Sequence, residues 1–125
     1  MTRAPAPLIA VIDDDESVRE SLPDLLREFG YQVEAFSSAP EFLASGCLAR
    51  AMCLIVDVAM PRMSGGELQR EARRLGYATP IIFITAQSDV TIRSRVIAEG
   101  AVECLFKPFS SSSLQEALDA ARLRV

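Results

Sequence analysis

Acidic, hydroxyl and basic side chains follow short apolar segments of this chain, at places where they could do chemistry together. Three consecutive aspartates occupy positions 13–15, and Asp57, Thr85 and Lys107 each end or follow a later apolar segment. Crowded carboxylates repel one another, so such a group is tolerable when a divalent cation and a nearby positive charge neutralise it. Oxygen ligands with open positions favour Mg²⁺ over a softer metal. These residues therefore predict a magnesium site with Lys107 as its local positive charge.

The same residue types can support phosphoryl chemistry. A carboxylate in such a site can act as a nucleophile toward a phosphoryl group and form an aspartyl phosphate. The metal and the Lys107 ammonium would offset charge on the phosphoryl oxygens, and the Thr85 hydroxyl would donate a hydrogen bond to one of them. This interpretation requires a fold that brings the four segments to one place.

Short apolar segments alternate with helical patterns along the chain. The segments are rich in β-branched and aromatic residues, which is typical of strands buried on both faces. They cover residues 8–12, 32–36, 53–56, 81–85 and 102–106. Between them, apolar residues recur at helical spacing, as at Leu22, Leu26 and Phe29. A β-α unit repeated five times predicts an α/β fold with a five-stranded parallel sheet and helices on both faces.

Capping residues mark the predicted helix boundaries. The candidate N-caps are Asp15 or Ser17, Ser64 and the serines at 110–112. The glycines that follow helix C-termini are Gly30, Gly76 and Gly100. Pro23 lies well inside the first helical pattern, where proline costs about 3 kcal/mol unless the helix bends or begins late. We expect a kink at Pro23.

The strand order decides where the polar residues meet. Five-stranded sheets of this class commonly have the order 2-1-3-4-5, and their ligands bind outside the carboxyl ends of the strands, at the switch point between strands 1 and 3. Asp13, Asp14 and Asp57 would then meet at that switch point, with Thr85 and Lys107 on the same edge. The topology therefore predicts the convergence that the chemistry requires.

Length, composition and charge restrict the classes of protein. A chain of 125 residues fits one domain over residues 1–125, structured over about 8–124. A net charge of −4 argues against binding to nucleic acid or an anionic membrane through bulk charge. The absence of histidine excludes Ser/His and Cys/His catalysis and the usual zinc sites.

The cysteines and the hydropathy indicate a cellular location. The three cysteines have no metal-binding spacing, which favours buried reduced thiols over disulfides. No apolar run approaches the roughly 20 residues that a membrane helix needs. We therefore expect a cytoplasmic protein without a membrane partner.

Four segments of the chain, in order, resemble the receiver domain of two-component response regulators. The segments are residues 11–15 (VIDDD), 57–65 (DVAMPRMSG), 85–86 (TA) and 107–109 (KPF). The sequence around Asp57 and Thr85 is most similar to receivers of the nitrogen-fixation-regulator type, which often precede a helix-turn-helix output domain. The resemblance covers nearly the whole chain and implies the flavodoxin-like receiver fold.

The resemblance assigns roles to the site residues. It implies that Asp57 is the phosphoacceptor, taking a phosphoryl group from a phosphohistidine on a sensor kinase or a phosphotransfer protein. It implies that Lys107, joined to Pro108 by a cis bond, contacts the phosphoryl group and that Thr85 moves toward it. The domain would be a signalling domain and not an enzyme, capable at most of self-phosphorylation and slow autodephosphorylation.

The resemblance also implies a Mg²⁺ cofactor. Asp14 would be a direct ligand together with Asp57 and the backbone carbonyl of Ala59, and Asp13 an acidic partner acting through water. The phosphorylated domain would switch a surface made by helix 4, strand 5 and helix 5, which controls an output such as transcription. Homodimerisation would use the same surface, and DNA would be contacted only through an output domain absent from this chain.

One position departs from the family. The switch aromatic of receivers lies three residues before the lysine, and that position is Cys104 here. Strand alternation places Phe106 on the same side as Cys104, so we expect its ring to replace the missing aromatic only in part. We therefore expect phosphorylation to occur but to be transmitted less cooperatively to the surface of helix 4, strand 5 and helix 5.

Other functions remain open from the sequence. A stand-alone receiver in a phosphorelay and an interaction module that is never phosphorylated are two of them. A haloacid-dehalogenase-type phosphohydrolase is a third alternative, but it would carry a second aspartate where Ala59 stands, so Ala59 argues against it. A flavin-binding flavodoxin needs a hydroxyl-rich loop where positions 13–15 are acidic.

Overall fold

Five strands form one parallel sheet in the order β2-β1-β3-β4-β5. The computed structural model describes residues 6–86 and 90–124. The strands are β1 (Leu8–Ile12), β2 (Gln32–Phe36), β3 (Cys53–Asp57), β4 (Ile81–Thr85) and β5 (Glu103–Phe106). The predicted α/β fold and strand order are confirmed. Asp57 itself belongs to β3, one residue beyond the predicted end of that strand.

Helices cover both faces of the sheet. They are α1 (Glu16–Glu28), α2 (Ala39–Ala44), α3 (Gly65–Arg74), α4 (Val90–Ala98) and α5 (Ser111–Arg122). Residues of α2, α3 and α4 form a core with one face of the strands, and residues of α1 and α5 form a second core with the other face. Strands β1, β3 and β4 are buried along their whole length, as their continuous apolar sequences predict.

Side-chain caps begin the helices that flank the carboxyl edge of the sheet. Asp15 accepts from the Ser17 amide at 2.9 Å, Ser64 from the Glu67 amide at 3.2 Å and Ser110 from the Ser113 amide at 3.0 Å. Three predicted C-terminal glycines have positive φ angles, at Gly30, Gly76 and Gly100. Asp15, and not Ser17, is therefore the cap of α1.

Pro23 lies inside α1, which continues from Glu16 to Glu28. The helix does not begin late, and the predicted kink stays a prediction. Cys47, Cys53 and Cys104 are buried free thiols, as their spacing predicts. Within the described residues, no helix has both the length and the hydropathy that a membrane crossing requires.

Candidate functional site

The loop after β1 fixes the first carboxylate. Asp13 follows Ile12 directly and is fully buried. Its amide donates to the Phe36 carbonyl at 3.1 Å, and its Oδ1 accepts from the Asp15 amide at 2.9 Å. Arg19, on the first turn of α1, donates to the Asp13 backbone carbonyl at 3.0 Å. The backbone of Asp13 is therefore held on both sides at the carboxyl end of β1, and the Asp15 amide fixes one oxygen of its carboxylate.

Asp57 ends β3, which pairs with β1 on one side and β4 on the other. Only 8% of its surface is exposed. Its Oδ1 accepts from the Ala59 amide at 3.2 Å, and the next amide, of Val58, donates to the Ile84 carbonyl at 3.0 Å. Both the backbone and one carboxylate oxygen of Asp57 are thus fixed.

The structure brings three aspartates together at this edge. One carboxylate oxygen each of Asp13, Asp14 and Asp57 lies within 4.8 Å of the others. Asp14 is exposed, whereas Asp13 and Asp57 are buried, so the cluster opens to solvent on one side. All three donors are carboxylate oxygens, which suit a hard cation such as Mg²⁺ that keeps several water ligands. The residues present therefore fit a divalent-cation site.

Lys107 supplies the positive charge of the site. Its Nζ donates to Asp13 Oδ2 at 3.0 Å and lies 4.0 Å from Asp57 Oδ2. The peptide bond between Lys107 and Pro108 is cis, as the family resemblance implies. The backbone amide of Lys107 donates to the carbonyl of Thr85 at 2.8 Å, and Thr85 is buried at the end of β4. Thr85 is thereby joined to the site through the backbone that positions Lys107.

Burial and repulsion from Asp13 disfavour the ionised form of Asp57. Burial and, after it, the negative charge of Asp13 raise the pKa of Asp57 to about 7, against the opposing effects of the Ala59 amide and Lys107. Burial lowers the pKa of Lys107, but the hydrogen bond to Asp13 and the charges of Asp13 and Asp57 outweigh it and raise that pKa overall. The site therefore places the positively charged Lys107 ammonium beside the aspartates, and a further cation there would favour the ionised form of Asp57.

Two residues in this region were assigned no individual role from the sequence, although Gly65 ends the segment 57–65 that resembles receivers. Arg19 supports the loop of Asp13 from six positions along the chain, a spacing that carries no distinct signal. Gly65, the first residue of α3, donates its amide to the Val58 carbonyl at 3.1 Å and closes the loop after Asp57. The capping residue Ser64 marks the helix start, but a close backbone approach by Gly65 leaves no mark in a single sequence.

The sequence model of the response regulator receiver domain matches residues 9–119. The chain belongs to this family. It is 43% identical over 116 residues to the response regulator protein TodT of Pseudomonas putida. The matched region covers 93% of this chain and 51% of TodT. It is 42% identical over 117 residues to nodulation protein W of Bradyrhizobium diazoefficiens, covering 94% of the chain and 52% of that protein.

Solved receivers share the fold of this domain. The crystal structure of FixJ-N superposes with a TM-score of 0.85 at 34% identity, covering 95% of each chain. The response regulator StyR superposes with a TM-score of 0.86 at 40% identity, covering 95% of this chain and 60% of StyR. The receiver spans about half the length of the curated relatives that it matches.

Membership of the family fixes the coarse function. The chain is a receiver domain of the response regulators of two-component signalling. Receiver domains are signalling domains that pair with histidine kinases or phosphotransfer proteins, and they generally bind Mg²⁺ at an acidic pocket. Several relatives are transcriptional regulators by name, including FixJ and TdiR. The match favours the receiver over the flavodoxin and phosphohydrolase alternatives.

Proposed function

We propose that Asp57 accepts a phosphoryl group from the phosphohistidine of a sensor kinase or a phosphotransfer protein. The observation that carries this proposal is the convergence of Asp57 with Asp13, Asp14 and Lys107. The three carboxylates lie within 4.8 Å of one another, and the Lys107 ammonium lies 4.0 Å from Asp57. The cluster is open to solvent at Asp14, so a phosphodonor can approach from that side.

The transfer is a displacement at phosphorus. A carboxylate oxygen of Asp57 attacks the phosphorus, the bond between phosphorus and the donor's imidazole nitrogen breaks, and the imidazole leaves with that electron pair. The Ala59 amide holds Asp57 Oδ1 at 3.2 Å and so restricts rotation of the carboxylate. Orienting the nucleophile in this way supplies part of the rate acceleration.

Lys107 stabilises charge on the transferred group. Its hydrogen bond to Asp13 holds the ammonium near Asp57. A compact ammonium at this position can contact a phosphoryl oxygen once Asp57 is modified. We assign the second hydrogen bond to that group to the Thr85 hydroxyl.

We assign the cation site to Asp14, Asp57 and the backbone carbonyl of Ala59 as direct ligands, with Asp13 acting through water. Bound Mg²⁺ would offset negative charge on the phosphoryl oxygens. The chemistry of the donors supports this assignment, because the three carboxylates offer only hard oxygen atoms.

We propose that the output surface comprises α4, β5 and α5. Phosphorylation would draw Thr85 toward Asp57 and pull with it the loop before α4, of which residues 87–89 lie outside the described residues. The ion pair of Arg93 with Glu103, at 2.7 Å, joins α4 to β5 across this surface. The same surface would form a homodimer, and transcription would be controlled through an output domain that contacts DNA.

The central test is phosphorylation of the isolated receiver by acetyl phosphate and Mg²⁺, followed by intact mass measurement. The wild type is expected to gain one phosphoryl group, and Asp57→Asn none. Asp119→Asn is a matched control, because Asp119 is an exposed aspartate of α5. A wild type that gains no phosphate with Mg²⁺ present would overturn the proposal.

A further inference from the structure

Gly65 begins α3 directly beside the backbone of Asp57. It is buried, and a Cβ atom placed on it would lie 2.8 Å from the Asp57 carbonyl oxygen. The same atom would lie 2.7 Å from Cε1 of Phe83. Both distances are shorter than any ordinary carbon contact, so no side chain fits at this position without a shift of its neighbours.

Neither neighbour can move freely. The Asp57 carbonyl belongs to a strand paired on both sides, and Phe83 is fully buried in β4. Interiors packed at crystal-like density transmit such strain instead of absorbing it. Any side chain at position 65 would therefore displace either the start of α3 or the end of β3, and both carry the loop that holds Asp57.

Gly66, the next residue, provides the contrast. A Cβ on Gly66 would meet only the terminal Nη1 of Arg70, at 3.7 Å, which is an ordinary contact with the end of a flexible side chain. Both glycines lie in the first turn of α3. Alanine at either position reduces backbone freedom in the unfolded chain in the same way. The two positions therefore differ in the space available to a side chain.

We infer that Gly65 is a positioning residue for phosphoryl transfer. Its missing side chain lets the first turn of α3 lie against the Asp57 carbonyl, and this contact sets the Asp57 carboxylate relative to Asp13 and Lys107. Those two residues follow β1 and β5, and their own contact does not involve α3. A methyl group at position 65 would therefore displace the nucleophile while leaving the Asp13–Lys107 pair in place. This inference rests on the proposed role of Asp57.

The test compares Gly65→Ala with Gly66→Ala in phosphorylation by acetyl phosphate at saturating Mg²⁺. A misplacement of about 1 Å can cost about a hundredfold in rate. We expect Gly65→Ala to lower the maximal rate by about tenfold or more, with the KM for the donor little changed, and Gly66→Ala to match the wild type. Thermal unfolding of each variant checks that it is folded at the assay temperature. Equal maximal rates for the two variants would overturn the inference.

A second comparison separates positioning from packing and covers the case in which Gly65→Ala does not fold. Phe83→Leu removes the ring atom Cε1, which is the nearest neighbour of a Cβ at position 65, and leaves the Asp57 carbonyl oxygen at 2.8 Å from it. Adding Gly65→Ala to Phe83→Leu should still lower the maximal rate by about tenfold. A rate equal to that of Phe83→Leu alone would mean that Gly65 serves only packing against Phe83. Failure of the proposed function itself is distinct, because the wild type would then gain no phosphate.

Discussion

The Lys107 ammonium donates to Asp13 Oδ2 at 3.0 Å although the two residues lie 94 positions apart in the chain. The strand that precedes Lys107 is at one edge of the sheet, and β3 and β4 separate it from the strand that precedes Asp13. The side chain therefore extends along the carboxyl edge, past the end of β3 where Asp57 lies. This reach suits a long flexible stem with a compact charge at its end.

Lys107→Arg is expected to keep the fold and impair activation. A planar guanidinium can still pair with Asp13, but it is bulkier beside a small phosphoryl group. We expect a loss of about tenfold or more in the rate of phosphorylation by acetyl phosphate, with circular dichroism unchanged. Arg122→Lys, the reverse exchange at an exposed position of α5, is the control. An unchanged rate together with an unchanged conformational response would make the only lysine of the chain an accident of composition.

Asp57→Asn is expected to stabilise the metal-free domain above pH 7. The folded-state pKa of Asp57 is raised from 3.8 to about 7, so between these values the folded chain binds the proton more tightly than the unfolded chain. The free energy of unfolding contributed by this group is therefore fully present below about pH 4 and is lost as the pH rises through about 7.

The measurement is urea unfolding in EDTA from pH 5 to pH 8. The shift is about three pKa units and one unit corresponds to about 1.4 kcal/mol, so we expect the Asn variant to exceed the wild type by on the order of 4 kcal/mol at pH 8. The difference should shrink toward pH 5. A wild type whose stability relative to Asp57→Asn does not fall with rising pH would contradict the cause given for the raised pKa.

Mg²⁺ is expected to stabilise the wild type, and Asp14→Asn to weaken this effect. A ligand at ten times its Kd stabilises the folded state by about 1.4 kcal/mol through mass action. Asp14 is exposed, so its replacement by asparagine should leave the metal-free stability nearly unchanged while the Mg²⁺-dependent gain shrinks. Unfolding curves at increasing Mg²⁺ concentration measure both quantities. An equal gain in the two proteins would remove Asp14 from the ligand set.

Phosphorylation is expected to reach the output surface weakly. Cys104 is buried beneath α4 in the core that contains Val96 and Phe83, at the position where receivers carry the switch aromatic. A small thiol has no ring to swing between buried and exposed positions. We therefore expect beryllofluoride with Mg²⁺ to shift amide signals around Asp57 strongly and those of α4, β5 and α5 only slightly. Large shifts across those three elements would contradict this expectation.

The apolar segments predicted the strands and their order because buried parallel strands leave a plain mark in the sequence. Three of the five strands have their predicted bounds, and the order 2-1-3-4-5 brings Asp13, Asp14 and Asp57 together. The distances within the site could not be predicted from the sequence, because they depend on side-chain packing. The Lys107 ammonium lies 3.0 Å from Asp13 and 4.0 Å from Asp57. The close approach of Gly65 to Asp57 likewise arises from how α3 packs on the sheet.

Arg62 holds a backbone conformation that no sequence pattern indicated. It has a φ of 70°, the one positive value at a non-glycine residue in the described part of the chain. The Met63 amide donates to the Pro61 carbonyl at 2.8 Å, so the chain makes a three-residue turn centred on Arg62. Turns of this kind with positive φ are rare and strained, and non-glycine residues adopt them at a cost of order 1–3 kcal/mol.

Arg62→Gly is therefore expected to raise the free energy of unfolding by about 1 kcal/mol, because glycine adopts positive φ readily and the gain exceeds the added entropy of the unfolded chain. The side chain of Arg62 is exposed, so its removal alone should matter little. Arg62→Ala is the matched control, since it removes the same side chain but keeps the Cβ that causes the strain. Urea unfolding should rank the glycine variant above both the wild type and the alanine variant. If alanine stabilises as much as glycine, the charged side chain and not the backbone is the source of the cost.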